Sequence, residues 1–117
     1  MQRRITLCEE MKKLRAYLDD HDVSWEDTSS IKSDEEIERL LSLSIPEAYS
    51  DTSIYRTQFE YEGTTYSVIN GYGTYGGYRP STQKNDGMLE VLDWSTEKVS
   101  GGYTADEVIQ QLFKEER

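Results

Sequence analysis

The run Tyr55-Arg56-Thr57-Gln58-Phe59-Glu60-Tyr61-Glu62-Gly63-Thr64-Thr65-Tyr66-Ser67-Val68-Ile69 is the key to the architecture of this 117-residue chain. Tyr55, Thr57, Phe59 and Tyr61 alternate with Arg56, Gln58 and Glu60, which is the two-residue period of a strand with one covered face. Glu62-Gly63 suits a tight turn, because Gly63 takes positive φ at little steric cost. Thr64 to Ile69 is again rich in β-formers. The run therefore predicts a hairpin, with strands over 54–61 and 64–70 and with Phe59 buried. A third strand, 88–94, is apolar on both faces, so it should be central or covered.

Outward from this hairpin the period changes to that of helices, each opened by a capping box. Thr6-Leu7-Cys8-Glu9 opens a helix over about 6–20, with Leu7, Met11, Leu14 and Leu18 on one face and Tyr17 widening it. The acids around Asp19-Asp20-His21-Asp22 oppose the helix dipole and predict a frayed end. Val23-Ser24-Trp25 reads as a short edge strand. Ser33-Asp34-Glu35-Glu36 opens an acidic helix over about 34–43, stopped before Pro46. Thr104-Ala105-Asp106-Glu107 opens a last helix over about 105–114 with Val108, Ile109, Leu112 and Phe113 as its stripe. The Lys114–Arg117 tail should fray. The expectation is one α+β domain over 1–117: an antiparallel sheet of three to four strands with helices packed on one face.

Composition narrows the function classes. There are 23 acids, 13 bases and a formal net charge of −10. Nine Tyr, two Trp and two Phe argue against a disordered acidic chain. No apolar stretch is long enough to span a membrane, and no signal-peptide run opens the chain. The single cysteine, Cys8, permits no internal disulfide, and a cytoplasmic protein is expected. Residues 19–51 hold eleven acids against two bases, so most of the charge sits in one stretch. Such a field repels bare nucleic acid and attracts basic surfaces. It is also what a solvated face that only confers solubility looks like.

The segment Asn70-Gly71-Tyr72-Gly73-Thr74-Tyr75-Gly76-Gly77-Tyr78-Arg79-Pro80 is the least ordinary. Gly71, Gly73 and Gly76 satisfy G-x-G-x-x-G, but a phosphate cradle of the dinucleotide type needs a helix opening at the third glycine, and none follows. Two readings stay open. The glycines turn the chain and the tyrosines cover the sheet, or Tyr72, Tyr75 and Tyr78 with Arg79 form a recognition surface, since Tyr and Arg are favoured hot-spot residues. The polar stretch from Tyr78 to Gly87 is expected to be mobile.

Tyr61-Glu62-Gly63, Tyr66-Ser67-Val68-Ile69-Asn70-Gly71-Tyr72-Gly73-Thr74-Tyr75-Gly76-Gly77, Gly87-Met88-Leu89-Glu90 and Gly102-Tyr103-Thr104-Ala105-Asp106-Glu107-Val108 resemble a family of small acidic proteins encoded by bacteriophages and integrated mobile elements. Leu14-Arg15-Ala16-Tyr17-Leu18-Asp19 and Ser24-Trp25-Glu26-Asp27 extend the likeness over roughly 10–110. The acidic helix near 34–43 and the loop 79–86 depart from it. The resemblance implies an accessory protein of phage type, many of which bind and block host proteins, including bacterial immune nucleases. It brings no catalytic residues.

Catalytic chemistry finds little footing. His21 stands among aspartates as a charge partner, and no nucleophile turn accompanies it. Asp19, Asp20, Asp22 and His21 do not match a calcium loop. Cys8 reads as a buried, inert thiol, and Trp25 and Trp94 as core or cover residues. The sequence thus points to a non-enzymatic inhibitor of a basic, nucleic-acid-binding host protein, by acidic mimicry of nucleic acid, in the manner of an anti-CRISPR protein. The partner-binding candidates are Tyr72, Tyr75, Tyr78, Arg79, Asp34, Glu35, Glu36 and Glu38; no metal, cofactor, membrane or direct nucleic-acid contact is called for. The alternative is a small-ligand or nucleotide binder that uses the loop 70–79.

Overall fold

The computed structural model describes residues 4–113. Three helices, α1 (Glu9–Asp20), α2 (Asp34–Ser42) and α3 (Ala105–Leu112), accompany seven strands. These are β1 (Trp25–Asp27), β2 (Ile54–Tyr61), β3 (Thr64–Gly71), β4 (Tyr78–Arg79), β5 (Lys84–Asn85), β6 (Leu89–Asp93) and β7 (Lys98–Tyr103). Five strands form an antiparallel sheet in the order β1-β2-β3-β6-β7, while β4 and β5 make a small hairpin of their own. The fold is α+β, with more strands than the three to four expected. The Lys114–Arg117 tail lies outside the described residues.

The hairpin forms as its alternation predicts. Tyr61 faces Thr64, so the turn is two residues long, and both Glu62 (φ 51°) and Gly63 (φ 82°) take positive φ. That pair of angles is the type I′ turn, whose twist matches that of the strands it joins. On the inner face Thr57 opposes Val68 and Phe59 opposes Tyr66. The inner face is covered by α1 and α3: Met11, Leu14 and Leu18 from one, Ala105 and Val108 from the other, closing with Phe113 over Phe59, Val68, Leu89 and Val91. β1 is the edge strand beyond β2, with Trp25 opposite Phe59. The Arg15 guanidinium lies 4.7 Å from the Trp25 ring and donates to Thr57 Oγ1.

Two of the three capping boxes form, at Ser33/Glu36 and at Thr104/Glu107. The first does not. α1 begins at Glu9, with Cys8 at the N-cap position and no side-chain cap. The reason is tertiary: Asp51 accepts from the Ile5 backbone N–H at 2.8 Å and from Arg4 Nε at 3.0 Å, which anchors the preceding chain elsewhere. The C-terminus of α1 is closed rather than frayed. Asp22 sits at φ 57°, Val23 N–H donates to Leu18 O at 2.8 Å, and Asp22 N–H donates to Asp19 O at 3.2 Å. This is the Schellman pattern with aspartate in place of glycine. The acids that disfavour the end electrostatically are put to local use, since Asp19 Oδ1 accepts from the Trp25 indole at 2.8 Å. α2 closes in the same way at Ser44 (φ 68°), ahead of Pro46.

β7 is the strand the pattern does not announce. Lys98-Val99-Ser100-Gly101-Gly102-Tyr103 has two glycines and no apolar alternation. Gly102 (φ 82°) occupies a bulge where the β6–β7 register slips. The turn before it is built by Asp93, whose Oδ1 accepts from the Ser95 backbone and hydroxyl at 2.9 and 2.7 Å. The Ser95 hydroxyl and these backbone bonds hold the Asp93 carboxyl below the usual carboxylate range.

Candidate binding surface

The glycine-tyrosine segment continues β3 into a loop wound around one hydroxyl. Thr74 Oγ1 accepts from the Gly71 N–H and donates to the Gly71 carbonyl, both at 3.0 Å. Gly73 N–H donates to Tyr78 O and Gly77 N–H to Thr74 O, each at 3.0 Å. Gly73 (φ 71°) and Gly76 (φ 82°) make the left-handed turns. At Gly77 a Cβ would overlap the Thr74 hydroxyl and stand 2.5 Å from the Gly71 carbonyl oxygen. Below the loop, buried Asn70 and half-buried Asn85 exchange side-chain amide bonds of 3.0 and 2.8 Å, and Asn70 also donates to Met88 O at 2.8 Å. The segment 78–87, expected to be mobile, is instead the β4–β5 hairpin, fastened by this amide pair and by the Arg79–Asp86 ion pair at 2.6 Å.

The three tyrosines do not share one surface. Tyr72 and Tyr78 stack on each other, ring centroids 6.2 Å apart, both half-buried, and the Tyr78 hydroxyl donates to Ala48 O at 3.3 Å. Tyr75 alone stands out, 69% exposed. Its N–H donates to Glu90 Oε1 at 2.6 Å, and its Cβ lies 2.6 Å from where a Cβ on Gly101 would be. It therefore rests on the outer face of β7, and the missing side chain at Gly101 is what seats it. Arg79 is exposed, engaged by Asp86.

The same loop geometry bears on a phosphate cradle. The amides of Gly71, Gly73, Thr74 and Gly77 are spent on the loop's own acceptors, and the Tyr75 amide is spent on a carboxylate. A cradle needs such groups open and free of negative neighbours. Cys8 is half-buried, and burial pushes its thiol up from the ordinary value, which leaves no activated thiolate. His21 stacks on Tyr17 at 3.9 Å, with Nδ1 3.0 Å from the Tyr17 carbonyl oxygen.

The candidate acids on α2 divide by partner. Asp34 pairs with Arg4. Glu36 accepts from the Ser33 N–H at 3.0 Å and lies 3.9 Å from Lys32 Nζ; the Ser33 bonds hold its carboxyl below the usual range. Glu35 and Glu38 are exposed and carry no ion pair or hydrogen bond among the described residues. α2 and the tyrosine loop stand at the same end of the sheet, because Ile54 at the start of β2 faces Gly71 at the end of β3.

The sequence reading missed a third component, the outer face of the sheet. Leu92 opposes Val99 there, Trp94 donates its indole N–H to Ser67 Oγ at 3.0 Å, and Tyr75 covers Gly101. Val99 is 55% and Trp94 50% exposed. The signal was present in 88–94, apolar on both faces, but its outward partner Val99 lies on the strand that the pattern did not reveal. No helix of the described residues is long and apolar enough to cross a membrane. The chain matches no family model, no curated protein and no solved structure.

Gly77→Ala should loosen the loop. The added carbon meets Thr74 and the Gly71 carbonyl, so a loss of about 1–3 kcal/mol is expected from overpacking. Urea melts monitored by circular dichroism check it; a variant as stable as the parent would mean that the loop yields freely.

Proposed function

We propose that this is a non-enzymatic binding protein that docks on a basic, nucleic-acid-binding protein and occupies sites meant for phosphates. The observation that carries the reading is Tyr75: a large, amphipathic side chain, exposed, and held by a loop whose own bonds fix it. An anchor ordered before binding loses little entropy on association, and tyrosine is a favoured residue at energetic centres of interfaces. Glu35 and Glu38, which carry no ion pair among the described residues and stand at the same end of the sheet, supply the charge that steers a cationic partner. The resemblance of the Tyr66–Gly77 core to phage and mobile-element proteins makes a bacterial immune nuclease the natural target and the host cytoplasm the natural setting.

The test is co-purification of such nucleases with the protein at low and moderate salt, followed by nuclease assays. Tyr75→Ala should weaken binding by about 1–3 kcal/mol at an unchanged melting temperature. Glu35→Gln with Glu38→Gln should slow association and flatten its salt dependence. Retention of full affinity by Tyr75→Ala would sink the anchor, and indifference of every basic nucleic-acid-binding protein would sink the reading.

A further inference from the structure

The exposed large apolar side chains fall into two groups, one along 31–49 and one on the outer sheet face, where Tyr75, Trp94 and Val99 gather around half-buried Leu92. The inner face of the sheet is covered by two helices, whereas the described residues place none on the outer face. Crossing that face from β7, the register gives Val99, Leu92, Ser67, Gln58 and then Glu26 on β1. Glu60 stands one strand from Glu26 on the same face, and these two carboxylates flank a shallow depression of about 280 Å³ lined also by Gln58 and Thr65. Neither glutamate has an ion-pair partner among the described residues. The face thus carries Tyr75, Leu92, Trp94 and Val99 toward β7 and two carboxylates toward β1, with half-buried Arg56 on the same face of β2, two positions from Gln58.

We infer that this outer face is the docking surface for a basic amphipathic helix of the partner protein, an inference that rests on the reading of the chain as a binder of basic proteins. Four considerations select that occupant. Four strand spacings separate Val99 from Glu26, roughly 19 Å at about 4.8 Å each, and a helix rising 1.5 Å per residue covers that in about 13 residues. Apolar side chains at helical spacing meet Tyr75, Leu92, Val99 and Trp94, while lysines or arginines toward one end meet Glu26 and Glu60. Addition of an extended strand at β7 is disfavoured, because the Gly102 bulge breaks the ladder that a new strand would need. A second copy of this chain is a poor occupant, since each copy carries a net charge of −10.

The probe is a synthetic 16-residue helix of leucine and lysine, with leucine at i, i+3, i+4 and i+7, titrated against the whole chain. Tryptophan fluorescence reports binding, and backbone amide shifts report the footprint. The expected result is binding in which Val99→Asp and Tyr75→Ala each weaken affinity at least tenfold, Glu26→Gln with Glu60→Gln flattens the salt dependence, and Glu35→Gln with Glu38→Gln changes little. Circular dichroism confirms that each variant is folded, and Val99→Lys is the second variant at that position. The inference is overturned if a scrambled peptide of the same composition binds equally, if the footprint falls on α2, or if sedimentation shows a dimer that Val99→Asp dissolves. A nuclease captured through Tyr75, Glu35 and Glu38, with Val99→Asp and the Glu26→Gln and Glu60→Gln pair inert, would remove the outer face and leave the basic-partner reading standing. Failure to bind any cationic helix or basic protein would remove both.

Discussion

Phe59→Ala should lower the free energy of unfolding by about 3–5 kcal/mol, the sum of lost transfer energy and the cavity left behind. Phe59 is 3% exposed and belongs to the single cluster that joins the sheet to α1 and α3. Its ring lies 5.5 Å from Tyr66 and 6.0 Å from Phe113, and Phe113 in turn lies 4.3 Å from Tyr61 and 5.2 Å from Tyr17. The cavity would therefore open beside two rings, Tyr66 and Phe113, the second of them held in turn by Tyr61 and Tyr17, and such stiff groups collapse poorly into a void. Such aromatic pairs also contribute beyond their buried area. Urea melts give the value directly. A loss below about 1 kcal/mol, under the range for large-to-small core changes, would place Phe59 on a wet face and invert the β2 register.

The second large effect is expected at Asp51, which is 4% exposed. Its Oδ2 takes the Ile5 N–H at 2.8 Å and Arg4 Nε at 3.0 Å, while Oδ1 takes the Ser53 N–H at 3.0 Å and hydroxyl at 2.5 Å. Arg4 reaches on to Asp34 and to Lys32 O, and Lys32 N–H donates to Ser53 Oγ at 2.9 Å. One carboxylate thus fastens the N-terminal segment, the start of α2 and the entry to β2. Asp51→Asn puts an amide donor against donors and should cost about 2–4 kcal/mol, since buried groups lose their charged acceptor. Burial by itself pushes the Asp51 carboxyl up, but the Ser53 hydroxyl, the Ile5 and Ser53 backbone N–H groups and Arg4 outweigh it, so the carboxyl sits below its ordinary value. A group depressed in the folded state stabilises above its unfolded value, about 3.9 for aspartate, and that contribution disappears as pH falls through the folded value. The parent should lose stability below about pH 4 more steeply than Asp51→Asn does. Asp27, lowered chiefly by the Ser29 hydroxyl, and Asp93 are common to both proteins and cancel in the comparison. Parallel acid profiles of the two would show that Asp51 titrates alike folded and unfolded.

Much of this architecture is local, and local rules suffice to read it. The alternation from Tyr55 to Tyr61, the turn at Glu62-Gly63 and the boxes at Ser33 and Thr104 each rest on residues within a few positions of one another, so the sequence by itself determined the hairpin, α2, α3 and the class of the fold. What it left undecided required partners far along the chain. The box at Thr6 does not form: α1 starts only at Glu9, whose carboxylate pairs with Lys12, and the chain before it is held by Asp51, more than forty residues away, through the Ile5 N–H. β7 exists because β6 offers it a ladder and Tyr75 needs the bare backbone of Gly101 beneath it, neither of which leaves a period in Lys98–Tyr103. Of the candidate site, the sequence named Tyr75, Glu35 and Glu38 but could not separate them from Tyr72, Tyr78, Asp34 and Glu36. Exposure and pairing are properties of the assembled sheet: the stacking of two tyrosines, the capture of Asp34 by Arg4 and the emergence of an apolar outer face were decided only when the strands took their order.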